Sequence, residues 1–377
     1  MRPTWDIFCR VIDNYGDIGV TWRLARQLVA EHDQAVRLWV DDPRAFCRLC
    51  PQANSQDAMQ IHQGVAVHQW PSEWQPVSTA DVVIEAFGCE LPDAYVDAMA
   101  QCTRSSLWLN LEYLSAETWV DGCHGLPSLQ PQGLHKFFFF PGFTPRTGGL
   151  LRENELIAQR QRFQQDPAAR VAFLKRLGVT PEPNARLISL FAYENTALAS
   201  WLEALANSTQ PVQLLVPEGR IIADLARWLG LNALTAGDLH RRHALTVQVL
   251  PFVSQDDYDR LLWSCDFNAV RGEDSFVRAQ WAGRPLLWQL YPQQQEAHLD
   301  KLDAFLARYG KGLSVTTNAA LQAQWQAWNR GEDMQASWQA LQHAWPELSA
   351  EAENWCQQQA KQTNIAAALV QFYLNWL

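Results

Sequence analysis

The segment Ser264–Leu290 reads SCDFNAVRGEDSFVRAQWAGRPLLWQL, and its reading decides the fold. Cys265 to Val270 is a short strand candidate. Arg271-Gly272 makes a tight turn, and Glu273-Asp274-Ser275 opens a helix. That helix ends at Gly283 with Pro285 just beyond it, the expected stop signals. Leu286 to Leu290 is the next buried strand. In such a unit the amide N–H groups of the helix's first turn lack intrahelical partners, and the helix dipole is positive there. An anion docks readily at such an end. Ser275 adds a hydroxyl and Arg271 a cation. Simple capping by Asp274 or Ser275 is the competing reading of the same residues.

Working outward, the pattern repeats. Strands are predicted at Arg186–Phe191, Val212–Val216 and Leu245–Leu250. Helices are predicted near Thr196–Ala206, Ile221–Leu229 and Gln255–Trp263. The first part of the chain shows the same alternation. Its strands fall at Trp5–Ile12, Ala35–Val40, Val65–His68, Asp81–Phe87 and Ser106–Leu111, with helices from about Gly19, at Pro43–Leu49 and at Pro92–Gln101. Alternating strands and helices argue for a parallel sheet covered on both faces. The expected class is α/β, with two doubly wound, Rossmann-like halves facing across a cleft. The expected bounds are 1–150 and 151–355, with a terminal helix in 356–377 packing back on the first half. Phe138, Phe139 and Phe140 read as core.

Strand ends in such sheets are where ligands bind. The first strand leads into Asp13-Asn14-Tyr15-Gly16-Asp17-Ile18-Gly19, which is no dinucleotide fingerprint because G-x-G-x-x-G is missing. It offers two carboxylates four residues apart, suited to a base and its orienter or to a clamp on a cation. An Asx-turn at Asp13 and a helix cap at Asp17 account for the same residues structurally. In the second half, Phe191 and Tyr193 end one strand, and Phe252 ends another with Gln255 and Tyr258 nearby. A flat base can stack on such rings, although packing of helix ends would use them equally well. Together with the Arg271 turn they suggest a nucleoside diphosphate.

Composition narrows the class. The chain has 377 residues, long for a single core, and its 48% hydrophobic content fits a globular protein. No apolar run is long enough to cross a bilayer, and no signal peptide is evident at the start. The eight cysteines form no framework, which fits a cytoplasmic setting. Cys47 and Cys50 have CxxC spacing with no second pair at zinc-site spacing, so no metal is expected. A net charge of −10 argues against nucleic acid and is compatible with a basic protein partner.

The combination of Asp13-Asn14-Tyr15-Gly16-Asp17-Ile18-Gly19 with Arg271-Gly272-Glu273-Asp274-Ser275-Phe276 resembles the protein-arginine rhamnosyltransferase family, EarP. The likeness runs the length of the chain, including the Phe-rich middle and the helical tail. It implies a GT-B glycosyltransferase that needs no metal or cofactor. It further implies inverting transfer of L-rhamnose from dTDP-β-L-rhamnose to an arginine of translation elongation factor P. By that resemblance Asp13, Asp17 and Glu273 are the functional acids, Asp13 and Asp17 meeting the acceptor. Gly19, Phe191, Tyr193, Phe252, Gln255, Tyr258, Arg271, Asp274, Ser275 and Tyr291 are then expected at the donor. Two other readings use the same features: a nucleotide-sugar epimerase or hydrolase without a protein acceptor, and a non-catalytic module that binds a translation factor.

Overall fold

In the computed structural model, which describes residues 2–12, 15–292 and 296–377, the chain forms two compact units. Met1–Asn154 with Lys361–Leu377 makes the first, and Glu155–Ala360 the second. The return to the first unit follows the end of the Trp345–Ala360 helix, so the last helix alone, Ile365–Trp376, belongs there.

The first unit is built on an eight-stranded sheet. Its strands are β1 (Thr4–Cys9), β2 (Ala35–Val40), β3 (Met59–His62), β4 (Val65–Gln69), β5 (Val82–Ala86), β6 (Leu107–Leu111), β7 (Pro127–Leu129) and β8 (His135–Phe139), in the order β3-β4-β2-β1-β5-β6-β8-β7. The six inner strands run parallel, and β3 and β7 close the edges antiparallel. Inner strands of a parallel sheet are covered on both faces and so read as continuous apolar runs. β5 and β6 are buried at every position. Buried polar side chains interrupt these runs at Glu85 on β5, at Asn110 on β6 and at Asp6, in the middle of β1 and fully buried. Arg37 forks onto both its oxygens at 2.5 and 2.6 Å, which offsets the cost of burying the charge.

The second unit repeats the plan with β9 (Arg186–Leu190), β10 (Val212–Pro217), β11 (Leu239–Arg242), β12 (Leu245–Leu250), β13 (Phe267–Arg271) and β14 (Leu286–Gln289), ordered β11-β12-β10-β9-β13-β14. Only β11 is antiparallel. The tail helix buries Ile365, Ala366, Leu369 and Tyr373, a stripe at helical spacing, against the Gly16–His32 helix. Gly149 lets the chain pass: a Cβ there would sit 2.0 Å from the Thr363 carbonyl oxygen.

Three expectations shift. The first strand stops at Cys9, and Ile12 is 63% exposed, because the chain has already left the sheet. The first helix begins at Gly16, not Gly19, so Asp17 and Gly19 lie in its first turn and not in a loop. β13 starts two residues later than expected, since Cys265 and Asp266 still connect the preceding helix, and runs one residue further, to Arg271, while β14 starts at Leu286 as expected and stops one residue short, at Gln289. The edge strands β3, β7 and β11 were not foreseen. They are only three or four residues long, and every residue in them is exposed or half-buried.

Candidate functional site

The carboxyl ends of the parallel strands carry a chemical cluster in each unit. In the first unit Asp17 is 2% exposed. Its Oδ2 accepts the Ile12 amide at 2.8 Å, and its Oδ1 accepts the Tyr113 hydroxyl at 3.2 Å. Tyr113 follows β6, and its ring stacks on Phe87, which follows β5, with centroids 4.5 Å apart and planes within 17°. A carboxylate accepting two such bonds is fixed in direction. Gly19 is buried on the same turn and donates its amide to the Tyr15 carbonyl at 2.8 Å. Asp13, the second expected acid, lies outside the described residues. The Cys9 thiol is pushed well above its usual range by burial, with the Asp17 carboxylate adding to the effect. It is therefore a protonated neighbour and no nucleophile.

In the second unit the β13 turn gathers most of the expected donor residues. Arg271 is 5% exposed. Its guanidinium lies 4.6 Å from the Phe191 ring centre and 4.5 Å from that of Tyr193. Nη1 meets no hydrogen-bond partner among the described residues. Rings expected to stack on a base thus flank a cation, a favourable contact in a desolvated place. Phe191 also meets Tyr258 edge to face at 5.7 Å, and Tyr193 meets Tyr291 the same way at 5.5 Å. Tyr291 is 44% exposed and forms the outer end of this row. Beyond Tyr193, Glu194 pairs with Arg220 at 2.8 Å. Burial alone would raise the Glu194 carboxyl, but Arg220 and, less strongly, Arg271 hold it below the usual range.

The Asp274–Trp281 helix starts directly after this turn. Gly272 adopts φ +59°, a conformation that suits a residue without a Cβ. Its amide is bonded to the Gln289 carbonyl at 3.0 Å. Glu273 occupies the cap position, and its side chain makes no capping bond. Ser275 is engaged within the turn: its hydroxyl accepts the Arg271 amide at 3.1 Å and donates back to the Arg271 carbonyl. It closes the turn and so aims the first helical amides. Asp274 accepts a long bond, 3.4 Å, from Gln255, the first residue of the Gln255–Ser264 helix, which Ser254 caps. Two helix N-termini therefore meet here. Phe252 sits half-buried in the loop before that second helix. Burial, with Asp274 adding to it, keeps the Tyr258 phenol protonated far above the ordinary range. Deeper down, Arg278 and Asp259 form a buried two-pronged pair at 2.8 and 2.6 Å that locks the helices together.

Tyr113 and Phe87 were missed by the sequence reading, as was Gln289, whose side-chain oxygen accepts the Tyr193 amide at 2.8 Å. Each sits at or just beyond a parallel strand's carboxyl end. The strand-end rule applied to β5, β6 and β14 would have singled them out.

Two α/β units, each built on a mostly parallel sheet, are the fold of GT-B glycosyltransferases. A glycosyltransferase from Rickettsia africae shares that fold at a TM-score of 0.55 and 9% identity, with 99% of this chain and 98% of that one covered. The family described as Elongation-Factor P (EF-P) rhamnosyltransferase EarP matches residues 5–374, and the chain belongs to that family, an enzyme family of protein-arginine rhamnosyltransferases. The protein-arginine rhamnosyltransferase of Pseudomonas putida is 63% identical over 377 residues, all of both chains. A solved structure concerned with EarP-mediated arginine glycosylation of translation elongation factor EF-P superposes with a TM-score of 0.74 at 49% identity, covering all of both chains. Among the described residues no helix is long and apolar enough to cross a membrane.

Proposed function

We propose that this enzyme moves L-rhamnose from dTDP-β-L-rhamnose to an arginine side chain of translation elongation factor P, inverting the sugar carbon, in the cytoplasm and without a metal or cofactor. The observation that carries the donor half is Arg271. A buried cation holding a nitrogen without a partner among the described residues, beside a helix start where the Glu273 side chain makes no capping bond, matches what a leaving diphosphate needs. Gln255 meets Asp274 and Tyr291 meets Tyr193 at that place, and the thymine would stack among the rings, with Phe252 from the loop before the Gln255 helix. In this reading Tyr193 and Phe191 hold Arg271 as well as facing the donor.

Chemistry explains the acids. An arginine side chain has a pKa of roughly 12.5–13.8, so stripping its proton at pH 7 costs on the order of 8 kcal/mol. A neutral guanidine is therefore a poor ground state. Asp17 instead grips the cation and takes an N–H proton as that nitrogen attacks the anomeric carbon. The carbon–oxygen bond to the diphosphate breaks on the opposite side, and its electron pair leaves with dTDP. Asp13 orients the guanidinium or Asp17, and Glu273 steadies the sugar or its developing positive charge. The reading requires Asp17 to reach the sugar carbon in the reacting complex. Mass spectrometry of elongation factor P after incubation with the enzyme, dTDP-β-L-rhamnose and a chelator tests it. A deoxyhexose increment on one arginine is expected. Product from the nucleotide sugar with no protein acceptor would instead favour an epimerase or hydrolase.

A further inference from the structure

The phenol that bonds the first unit's acid belongs to Tyr113, a residue with no role so far. β5 and β6 are neighbouring parallel strands with Ala86 opposite Leu111, so Phe87 and Tyr113 emerge side by side. Phe87 has φ +59°, the left-handed region that a bulky side chain avoids. Three bonds hold it there. Its amide donates to the Leu111 carbonyl at 2.7 Å. The next amide, of Gly88, donates to Asn110 Oδ1 at 3.2 Å, and Asn110 in turn donates to Glu112 at 2.6 Å. The strained conformation turns the Phe87 ring flat onto the Tyr113 ring. The phenol at the far end of that ring reaches Asp17 Oδ1. Strain that surrounding bonds over-determine marks a place where geometry matters.

We propose that Tyr113 is the positioning residue for Asp17, with Phe87 as the plate that holds its ring. The proposal rests on Asp17 being the base. The Tyr113 hydroxyl and the Ile12 amide take one carboxylate oxygen each, so the carboxylate cannot swing on its bond. During transfer the guanidinium proton passes to Asp17, and Tyr113 keeps its own proton. Cys9 on β1 couples electrostatically to Asp17, and Cys89 and Asp41 face that thiol from beyond the ends of β5 and β2. A hydrogen bond donated to a carboxylate favours the charged form. Its loss leaves the base protonated to a higher pH.

The test is Tyr113→Phe, which deletes one oxygen and keeps the stacked ring. Full-length enzyme is assayed on elongation factor P with dTDP-β-L-rhamnose across pH. The expected result is a kcat lower by about 10-fold, an unchanged KM for the nucleotide sugar, and an acid limb of the kcat profile moved to higher pH. Phe87→Ala, checked for an unchanged melting temperature, should lower kcat without moving the limb as far. A Tyr113→Phe enzyme with parental kcat and parental acid limb overturns the proposal. Asp17→Asn run alongside separates the two ideas. If Asp17→Asn is inactive while Tyr113→Phe is parental, only the Tyr113 role is lost. If Asp17→Asn still turns over, the base reading fails beneath it.

Discussion

The first unit buries a carboxylate, Asp17, and supplies it with two donors from the protein itself, an amide and a phenol. The second buries a cation, Arg271, between two rings, and one of its nitrogens stays without a partner among the described residues. The same folding plan thus leaves its two charged groups in different conditions. A group that must give direction to a proton transfer is best held by its own scaffold, because preorganisation lowers the cost of reaching the transition state. A group that must receive an anionic ligand gains affinity when part of its hydrogen-bonding capacity waits for that ligand. The rings around Arg271 keep it in place without using those donors, as a cation over an aromatic face needs no N–H bond.

The comparison breaks most visibly at Asp17. Asp17→Asn keeps the shape and removes the basicity, so kcat should fall by about 10³-fold while dTDP still binds, as calorimetry would check. An enzyme that lost both would mean Asp17 holds the fold together and is not simply a base. A large effect of another kind is expected from Asp259→Ala. Arg278 would lose its two-pronged partner at 1% side-chain exposure, and breaking a buried pair costs about 3–5 kcal/mol. Thermal melting should show the second unit destabilised, and a melting temperature within a degree of the parent would show that the pair does not lock the two helices.

Finer tests sharpen the second half of the comparison. Arg271→Ala should weaken dTDP binding by about 1.5–3 kcal/mol, and adding salt should weaken the parent but barely affect the variant. Arg271→Lys retains charge yet loses the flat contact with Phe191 and Tyr193, so it should fall short of the parent. A lysine variant with parental affinity would remove the rings from the account. Phe252→Ala should cost the donor about 1 kcal/mol and leave acceptor affinity unchanged. Equal donor affinity would exclude Phe252 from the thymine contact.

Much of the architecture was legible because the signals are local. Ala35–Val40, Pro43–Leu49 and Leu245–Leu250 fall on their predicted bounds, since short segments rich in Val and Leu and a Pro after an Asp cap leave little choice of structure. The edge strands were invisible because their residues are half-exposed and pair only when a neighbour offers an open edge. At the candidate site, the Arg271 turn was readable from glycine, proline and charge in order. The Tyr113 contact was not, because it joins residues 96 positions apart.

Read alone, the chain determined that strands and helices alternate in two series, that a positively charged turn precedes a helix in the second, and that acids follow the first strand. Those are properties of residue order and short-range sterics. The tertiary structure decided which groups are satisfied and which are not. It placed Asp17 inside a helix with a phenol on one oxygen, turned Phe191 and Tyr193 toward a cation, and engaged Ser275 in its own turn. Hydrogen bonds and ring contacts of that kind depend on which strand ends become neighbours, and sheet order is set by long-range packing that no short stretch of sequence encodes.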